Sequence, residues 1–509
     1  MTRRNTQRAE RLKIANPQPP WKNLVNPIKP VEVLSADEVE HIHQTTLRVL
    51  AETGMEFMDA GSRQTLKKQG CDVDEETMRV RFDPGFIEEN IAKAPSHFQL
   101  RARNPMRSIE MGGSNINFVS VIGPAYCSDL DRGRRTGTSL EVREFVRLLH
   151  SLNSIHLLYG TPFEAMDLAP EVRHLQGYLN AIELSDKCWG SWMLGRFRAE
   201  DALDMTCMTL GESRDDLKRN PACIGNINTN SPLRLDVQMT AGALAFAEAG
   251  QAVIVTPFTL AGAMAPITVA GALVGQNAEA LAVIAFLQAA HPGTPCVYGS
   301  FTSNVDMRTG APCFGTPEYS RAAFASGQLA RRYNLPWRSS SACVSNTVDA
   351  QAAYESEMSL WSTVMSPCNF IIHGGGWLEG GLTASFEKLI IDAEMLQMMA
   401  DVLKPIQIND AELAQGVFKE VGPGGHFFGT QHTLERYQDA FYQPLVSDWR
   451  SYGAWNDDGA LNATQRANRV WKQLLETYEQ PELNPDLLGE LKAFASRRER
   501  EIKQGVRCE

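Results

Sequence analysis

The sequence predicts an α/β protein built on a (β/α)8 TIM barrel, with an N-terminal α/β extension and a C-terminal helical segment. Three observations lead there. Eight short apolar, β-rich runs recur at residues 117–121, 155–159, 188–192, 222–225, 252–256, 295–299, 336–340 and 369–373. Each is followed by a stretch with helical spacing, and a parallel neighbour is reached only through such a crossover. At 509 residues the chain exceeds the roughly 250 of a minimal barrel, so further segments flank it.

Residues 1–115 make the extension. Ser35 caps a helix that runs to Glu52, and Glu38 three residues later completes a capping box. Further helices are expected at 62–69 and 84–94, the second ended by Pro95, with a short strand at 79–82. Residues 116–403 hold the barrel. Its helices are expected at 140–152, 171–184, 199–210, 235–249, 277–290, 317–333, 349–364 and 386–403. In the fifth, Ala278, Leu281, Ala282 and Ala285 share one face, a packing signal. Residues 404–509 are expected to be mostly helical. They hold a Gly-rich turn at 422–426, an aromatic section at 427–455, and charged amphipathic helices at 462–478 and 485–503.

Composition narrows the class. The 43% hydrophobic and 21% charged content is that of an ordinary soluble globular chain. A net charge of −11 disfavours nucleic acid. Arg3, Arg4, Arg8, Arg11 and Lys13 make a basic N-terminus, expected as a solvated tail. The start leads into Asn16-Pro17-Gln18-Pro19-Pro20, not a secretory apolar run, and no stretch reaches the roughly 20 apolar residues of a membrane span. Ten cysteines without a CxxC pair point to reduced thiols and a cytoplasmic location.

Barrels of this kind place their chemistry on the loops after the strands. Residues 123–126, 160–163, 226–230, 257–259, 301–304, 341–346 and 374–377 occupy that face. They are rich in Gly, amide, hydroxyl and aromatic groups and poor in Lys and Arg. Turn formation accounts for the Gly, Pro, Asn and Ser; the aromatics need another reason. No nucleotide P-loop, G-x-S-x-G elbow or H-E-x-x-H occurs. Gly374-Gly375-Gly376 admits a phosphate, but neighbouring Glu379 opposes one. His373, His426, His432 and Glu379 lack ligand spacing, so no metal is expected. A cation pocket fits better: Tyr126, Phe163, Trp192, Tyr298, Phe301, Tyr354 and Trp377 lie on or near this face, with Glu379 and Asp349 nearby. Each aromatic face stabilises a quaternary ammonium by about 0.5–2 kcal/mol.

Several motifs resemble those of one known family. Residues 227–233 (INTNSPL), 255–263 (VTPFTLAGA), 298–304 (YGSFTSN), 315–319 (GTPEY), 349–355 (DAQAAYE), 377–381 (WLEGG) and 422–427 (GPGGHF) resemble, in order, the trimethylamine methyltransferase family of corrinoid-dependent methyltransferases. The resemblance covers nearly all of the chain after about residue 30. It implies a (β/α)8 barrel that moves a methyl group from a methylated amine to Co(I) of a separate corrinoid protein. No cofactor would then be bound tightly by this chain. The archetypal trimethylamine enzymes carry pyrrolysine in the barrel. This chain has ordinary residues throughout, including 341–346, so the resemblance implies a member without pyrrolysine acting on a quaternary amine such as glycine betaine.

Such a reaction needs no covalent or acid–base residue, because the leaving group is a neutral tertiary amine and the nucleophile comes from the partner. The protein must orient one N–CH3 bond and exclude water. The expected substrate-binding residues are Trp377 and Glu379, then Tyr298, Phe301 and Asn304, with Tyr126, Tyr354, Gln351, His373 and His426 behind them. Asn304, Gln351, His373 and His426 are the groups available to a distal carboxylate. The rival expectations are a non-catalytic betaine-binding barrel and a barrel enzyme of another class using a phosphate-bearing ligand. A symmetric homo-oligomer is the base-rate expectation.

Overall fold

The computed structural model describes residues 18–505; the basic stretch from Arg3 to Lys13 lies outside them. Eight parallel strands form the centre: β1 (Asn115–Phe118), β2 (Leu157–Tyr159), β3 (Cys188–Trp192), β4 (Ile224–Asn228), β5 (Ala252–Thr256), β6 (Cys296–Gly299), β7 (Trp337–Ser340) and β8 (Phe370–Ile372). Their spatial order is β1-β8-β7-β6-β5-β4-β3-β2, and Leu24–Val25 adds an antiparallel ninth strand beside β1. The sheet curls far enough for Val119 and Leu157, just beyond β1 and at the start of β2, to make a parallel bridge. The fold is therefore mixed α/β with a curled nine-stranded sheet, and all eight apolar runs contribute a strand.

Helices follow the strands in turn: α1 (Ser139–Ser151), α2 (Arg173–Leu184), α3 (Arg196–Leu210), α4 (Val237–Glu248), α5 (Val269–Ala290), α6 (Pro317–Arg332), α7 (Ala350–Val364) and α8 (Phe386–Val402). Alternation along the strands sorts the core. Leu157, Cys188, Ile224, Ile254, Val297 and Ile372 pack inside the curl, with Leu100, Ile109 and Met111 of an antiparallel hairpin as a floor. Leu158, Ile227, Val253, Tyr298 and Ile371 point the other way, into the helices. Burial on both faces explains why these strands read as unbroken apolar runs.

Two local expectations shift. The fourth run, expected at 222–225, becomes a strand at Ile224–Asn228. Asn226 and Asn228 are thus strand residues; Thr256 Oγ1 donates to Asn226 Oδ1 at 2.7 Å, and Asn228 Nδ2 donates to the Thr256 carbonyl at 3.1 Å. Cross-strand partners overrule the turn preference of asparagine. The fifth helix begins eight residues before the expected 277, capped by Thr268. Gly271 and Gly275 weaken the helical signal of its first two turns. It is the one helix among the described residues long and apolar enough to span a membrane, and it is mostly buried beside the helices Ala36–Glu52 and Pro84–Ile91.

The expected capping box forms: Ser35 and Glu38 satisfy each other's backbone amides. The helix Pro485–Lys503 docks on α2 and α3 through the buried chain Arg498–Asp201–His174. Residues 404–461 depart from a mostly helical reading. They hold only the short helices Asp410–Leu413, Gln415–Val421, Gln431–Arg436 and Tyr452–Asp457, none with a buried residue. Without an apolar face to bury, no longer helix is held.

Candidate functional site

A small four-stranded sheet, in the order Trp377–Leu378, Thr383–Ser385, Tyr126–Asp129, Gly133–Thr136, is built from chain that follows the carboxyl ends of β1 and β8. Trp377 leads one strand of it. The indole Nε1 donates to the Cys343 carbonyl at 3.1 Å. The ring lies against Gly381, where a Cβ would come within 2.5 Å of it and where φ is +102°, so only glycine fits. His373, directly after β8, has φ +61° although it is not glycine. A buried left-handed histidine is a strained conformation of the kind that marks functional positions.

These two residues belong to an aromatic cluster. The His373 and Trp377 ring centroids are 3.9 Å apart. Phe301 lies 5.7 Å from His373, 6.3 Å from Trp377, 5.2 Å from Phe258 and 4.9 Å from the stacked ring of Phe314. Beside Phe301, with its guanidinium carbon 5.4 Å from the ring centroid, is Arg338 of β7.

Arg338 is 3% exposed. One nitrogen donates to the Ser300 carbonyl at 3.2 Å, while Nε has no partner and no carboxylate pairs with the group among the described residues. Burial pushes its pKa down to about 10, opposed by the neighbouring Tyr319, Cys368 and Tyr159. The charge persists at neutral pH. Three further buried polar atoms nearby lack partners: Tyr159 Oη, Ser340 Oγ and His373 Nδ1. The ring of Tyr159 has room inside the curl because position 190 is glycine, where a Cβ would lie 2.3 Å from it. His373 is held neutral, its pKa driven well below the ordinary value by burial and then by the Arg338 charge. An unpaired buried guanidinium costs several kcal/mol, and four orphaned polar groups in one place mark a site that awaits an anionic partner.

The ten residues expected from sequence divide. Trp377, Phe301 and His373 come together in this cluster. Glu379 does not carry a free charge: Arg134 Nε donates to both its carboxylate oxygens at 2.8 Å. Tyr126 lies under the same arginine, 3.6 Å from guanidinium carbon to ring centroid, so its face is already covered. Tyr298 points into the helix layer, where its hydroxyl accepts from Gln276 and donates to Asn277. Strand alternation decides this, since its neighbour Val297 takes the inward position.

Asn304 is committed locally, accepting from Thr316 at 3.1 Å. Gln351 donates to Glu355 at 2.8 Å, and Glu355 in turn holds the amides of Val344 and Ser345. Tyr354 is exposed on α7, and His426 is exposed on the segment after 404, with its ring neighbouring Phe428. The glycines at 374–376 offer no phosphate cradle: Gly374 N donates to Val119 O and Gly376 N to the Asp392 carboxylate.

Sequence reasoning missed Arg338, Tyr159, Phe258 and Phe314 as parts of one site. The signal was present for Arg338: an arginine inside the run Trp337-Arg338-Ser339-Ser340, which reads as a buried strand, has to meet a partner. The Arg134–Glu379 pair carries an expectation. Glu379→Gln should change the affinity for a quaternary amine by no more than about fivefold, since an ion pair open to solvent contributes little. Titration calorimetry of the variant checks this; a loss of a hundredfold would place Glu379 against the ligand instead.

The family model described as "Trimethylamine methyltransferase (MTTB)" matches residues 1–503. The chain belongs to the trimethylamine methyltransferase family. A glycine betaine methyltransferase of Desulfitobacterium hafniense (strain Y51) is 37% identical to this member over 92% of this chain and 98% of the relative. The trimethylamine methyltransferase MttB of D. hafniense (strain DSM 10664 / DCB-2) is 28% identical over 92% and 94% of the two chains. MttB2 of Methanosarcina mazei is 26% identical over 95% and 98%. The solved hydroxylamine complex of MtmB aligns with a TM-score of 0.48 and 10% identity, covering 89% of this family member and 90% of that chain.

Proposed function

We propose that this protein transfers a methyl group from a zwitterionic quaternary amine, glycine betaine or a close relative, to the Co(I) of a separate corrinoid protein. The observation that carries the substrate class is Arg338, a buried guanidinium without a carboxylate, set beside an aromatic cluster. A ligand carboxylate neutralises Arg338 by charge-assisted hydrogen bonds. Tyr159, Ser340 and His373 offer further polar groups to its oxygens. One methylene further on, the trimethylammonium group meets Phe301, Phe258, Phe314 and Trp377. A bare ammonium such as trimethylamine in its protonated form would meet the Arg338 charge unshielded, which disfavours it.

The corrinoid of the partner supplies the nucleophile that takes the methyl group. The chain's own residues bind the carboxylate, hold one N–CH3 bond in line, and keep water from the reacting atoms. Loss of the methyl leaves a neutral tertiary amine, so no residue has to give or take a proton. The relatives favour an enzyme over a passive binder, and the engaged amides of Gly374 and Gly376 disfavour the phosphate reading. We read the curled sheet as a closed (β/α)8 barrel spanning 116–403, a reading supported by the Val119–Leu157 bridge, and the protein as cytoplasmic.

The test is calorimetric titration with glycine betaine, choline and trimethylamine at about pH 6 and about pH 8. Glycine betaine is expected to bind and the two carboxylate-free amines to stay silent. Because His373 is neutral across this window, the two affinities should agree rather than step near the ordinary histidine pKa of about 6.5. Binding of choline as tightly as betaine would end the carboxylate assignment.

A further inference from the structure

We propose that Gln276 is a positioning residue that sets the spacing at which the site holds a ligand's carboxylate and ammonium. The proposal rests on Arg338 as the carboxylate's partner. α5 is long and apolar enough for a membrane span, yet its first half carries two adjacent amides, Gln276 and Asn277, both fully buried. A buried amide is costly unless hydrogen-bonded, and here all four amide hydrogens have partners. Gln276 Nε2 donates to Tyr298 Oη at 3.0 Å and to Ser326 Oγ of α6 at 3.1 Å. Its Oε1 accepts from Thr302 Oγ1 at 2.5 Å. Asn277 Nδ2 donates to Thr46 and Tyr333 at 2.9 and 2.8 Å, and its Oδ1 accepts from Tyr298 Oη at 2.9 Å. Leucine would fill the same space in an apolar helix, so the amides are explained by what they grip.

What they grip is a bend. β6 runs to Gly299 between β5 and β7, and at Ser300 the chain leaves the central sheet. It continues as the strand Phe301–Val305, paired with Phe258–Ala261 in a separate small sheet. Gly299 permits the change, since a Cβ there would lie 2.3 Å from Thr256 Oγ1. Gln276 binds one residue before the bend and one after it, so a single side chain fixes its angle. Both ends of the ligand depend on that angle. Ser300 is clasped to Arg338: its amide donates to the Arg338 carbonyl at 2.9 Å, and its own carbonyl accepts from the guanidinium at 3.2 Å. Phe301, the next residue, supplies an aromatic face for the ammonium, its centroid 5.4 Å from the guanidinium carbon. Consecutive residues thus serve the anionic and cationic ends, and the backbone between them sets the separation. Discrimination by geometry needs a stiff support, which Gln276 supplies from the helix layer.

Calorimetric titration with glycine betaine and with 3-(trimethylammonio)propanoate, which is one methylene longer, tests the assignment. The parent should favour glycine betaine by roughly 10- to 200-fold, the effect of one methylene in a fitted pocket. Gln276→Met, of similar length but without the hydrogen bonds, should narrow that preference to less than about fivefold, and so should Thr302→Val. Thr302→Ser keeps the hydroxyl and should recover most of the preference. Variants that bind both ligands more weakly by one factor, keeping the parent's ratio, overturn the proposal and leave Gln276 a purely structural role. So does a parent that takes both ligands equally. Should Gln276→Met fail to fold, as judged by thermal unfolding, Thr302→Val decides alone. A parent that binds choline as tightly as glycine betaine fails on the carboxylate reading itself and overturns the proposal with it. That failure shows in the parent, before any variant is made.

Discussion

Replacing Arg338 with Met is expected to remove glycine betaine binding while leaving the unliganded protein at least as stable as the parent. The two halves have one cause. Without a ligand, the guanidinium is desolvated and unpaired, and exchanging a buried charge for an apolar side chain of similar length is neutral or stabilising by about 1–4 kcal/mol. With a ligand, the carboxylate loses its only cationic partner at a buried site. Breaking such a pair costs about 3–5 kcal/mol, or roughly two to nearly four orders of magnitude in affinity. Arg338→Lys keeps the charge but loses the planar fork, and should fall between. Calorimetry gives the affinities and thermal unfolding the stabilities. A variant that melts well below the parent would make Arg338 a structural residue, whatever happened to binding.

The second large effect concerns the aromatic wall. Trp377→Leu should weaken glycine betaine binding by roughly 5- to 30-fold, the equivalent of about 1–2 kcal/mol of cation–π attraction in a desolvated site, whereas Trp377→Phe should lose less than about fivefold. Leucine is the better test than alanine, because Trp377 is packed against Phe314, His373 and Gly381 and truncation to alanine would cost about 3–5 kcal/mol of stability by itself. The control ligand is 3,3-dimethylbutanoate, which keeps the carboxylate and replaces the ammonium nitrogen by carbon. If the leucine variant loses affinity equally for both ligands, Trp377 contributes shape and not attraction for charge.

The legible part of this protein follows from periodicity. Strands buried on both faces must be apolar at every position, so the runs stand out, and each helix betrays itself by spacing or by a cap such as Ser35-x-x-Glu38. The order of the eight central strands and the helices between them could be read from these signals alone. The motifs carrying Trp377 and Phe301 were legible too, though the other aromatics expected beside them lie elsewhere. The fourth run slipped because its asparagines find partners across the strands, and the fifth helix was shortened because Gly271 and Gly275 dilute its pattern.

The roles of individual side chains were not legible in the same way. Tyr298 and Phe301 are three residues apart on one motif, yet one ring enters the helix layer and the other the site, because orientation follows the strand and the bend between them. Glu379 looked like the counter-charge for an ammonium until Arg134, 245 positions earlier, was found at its carboxylate. Arg338 is the reverse case, a charge whose meaning lies in the partner it lacks. Sequence by itself determined the α/β class, the order of the eight central strands and their helices, and the family, because backbone pattern and local caps are written in neighbouring residues. Only the tertiary structure decided which charges cancel and which stand alone, because electrostatic pairing and desolvation depend on distances between residues that the chain keeps far apart.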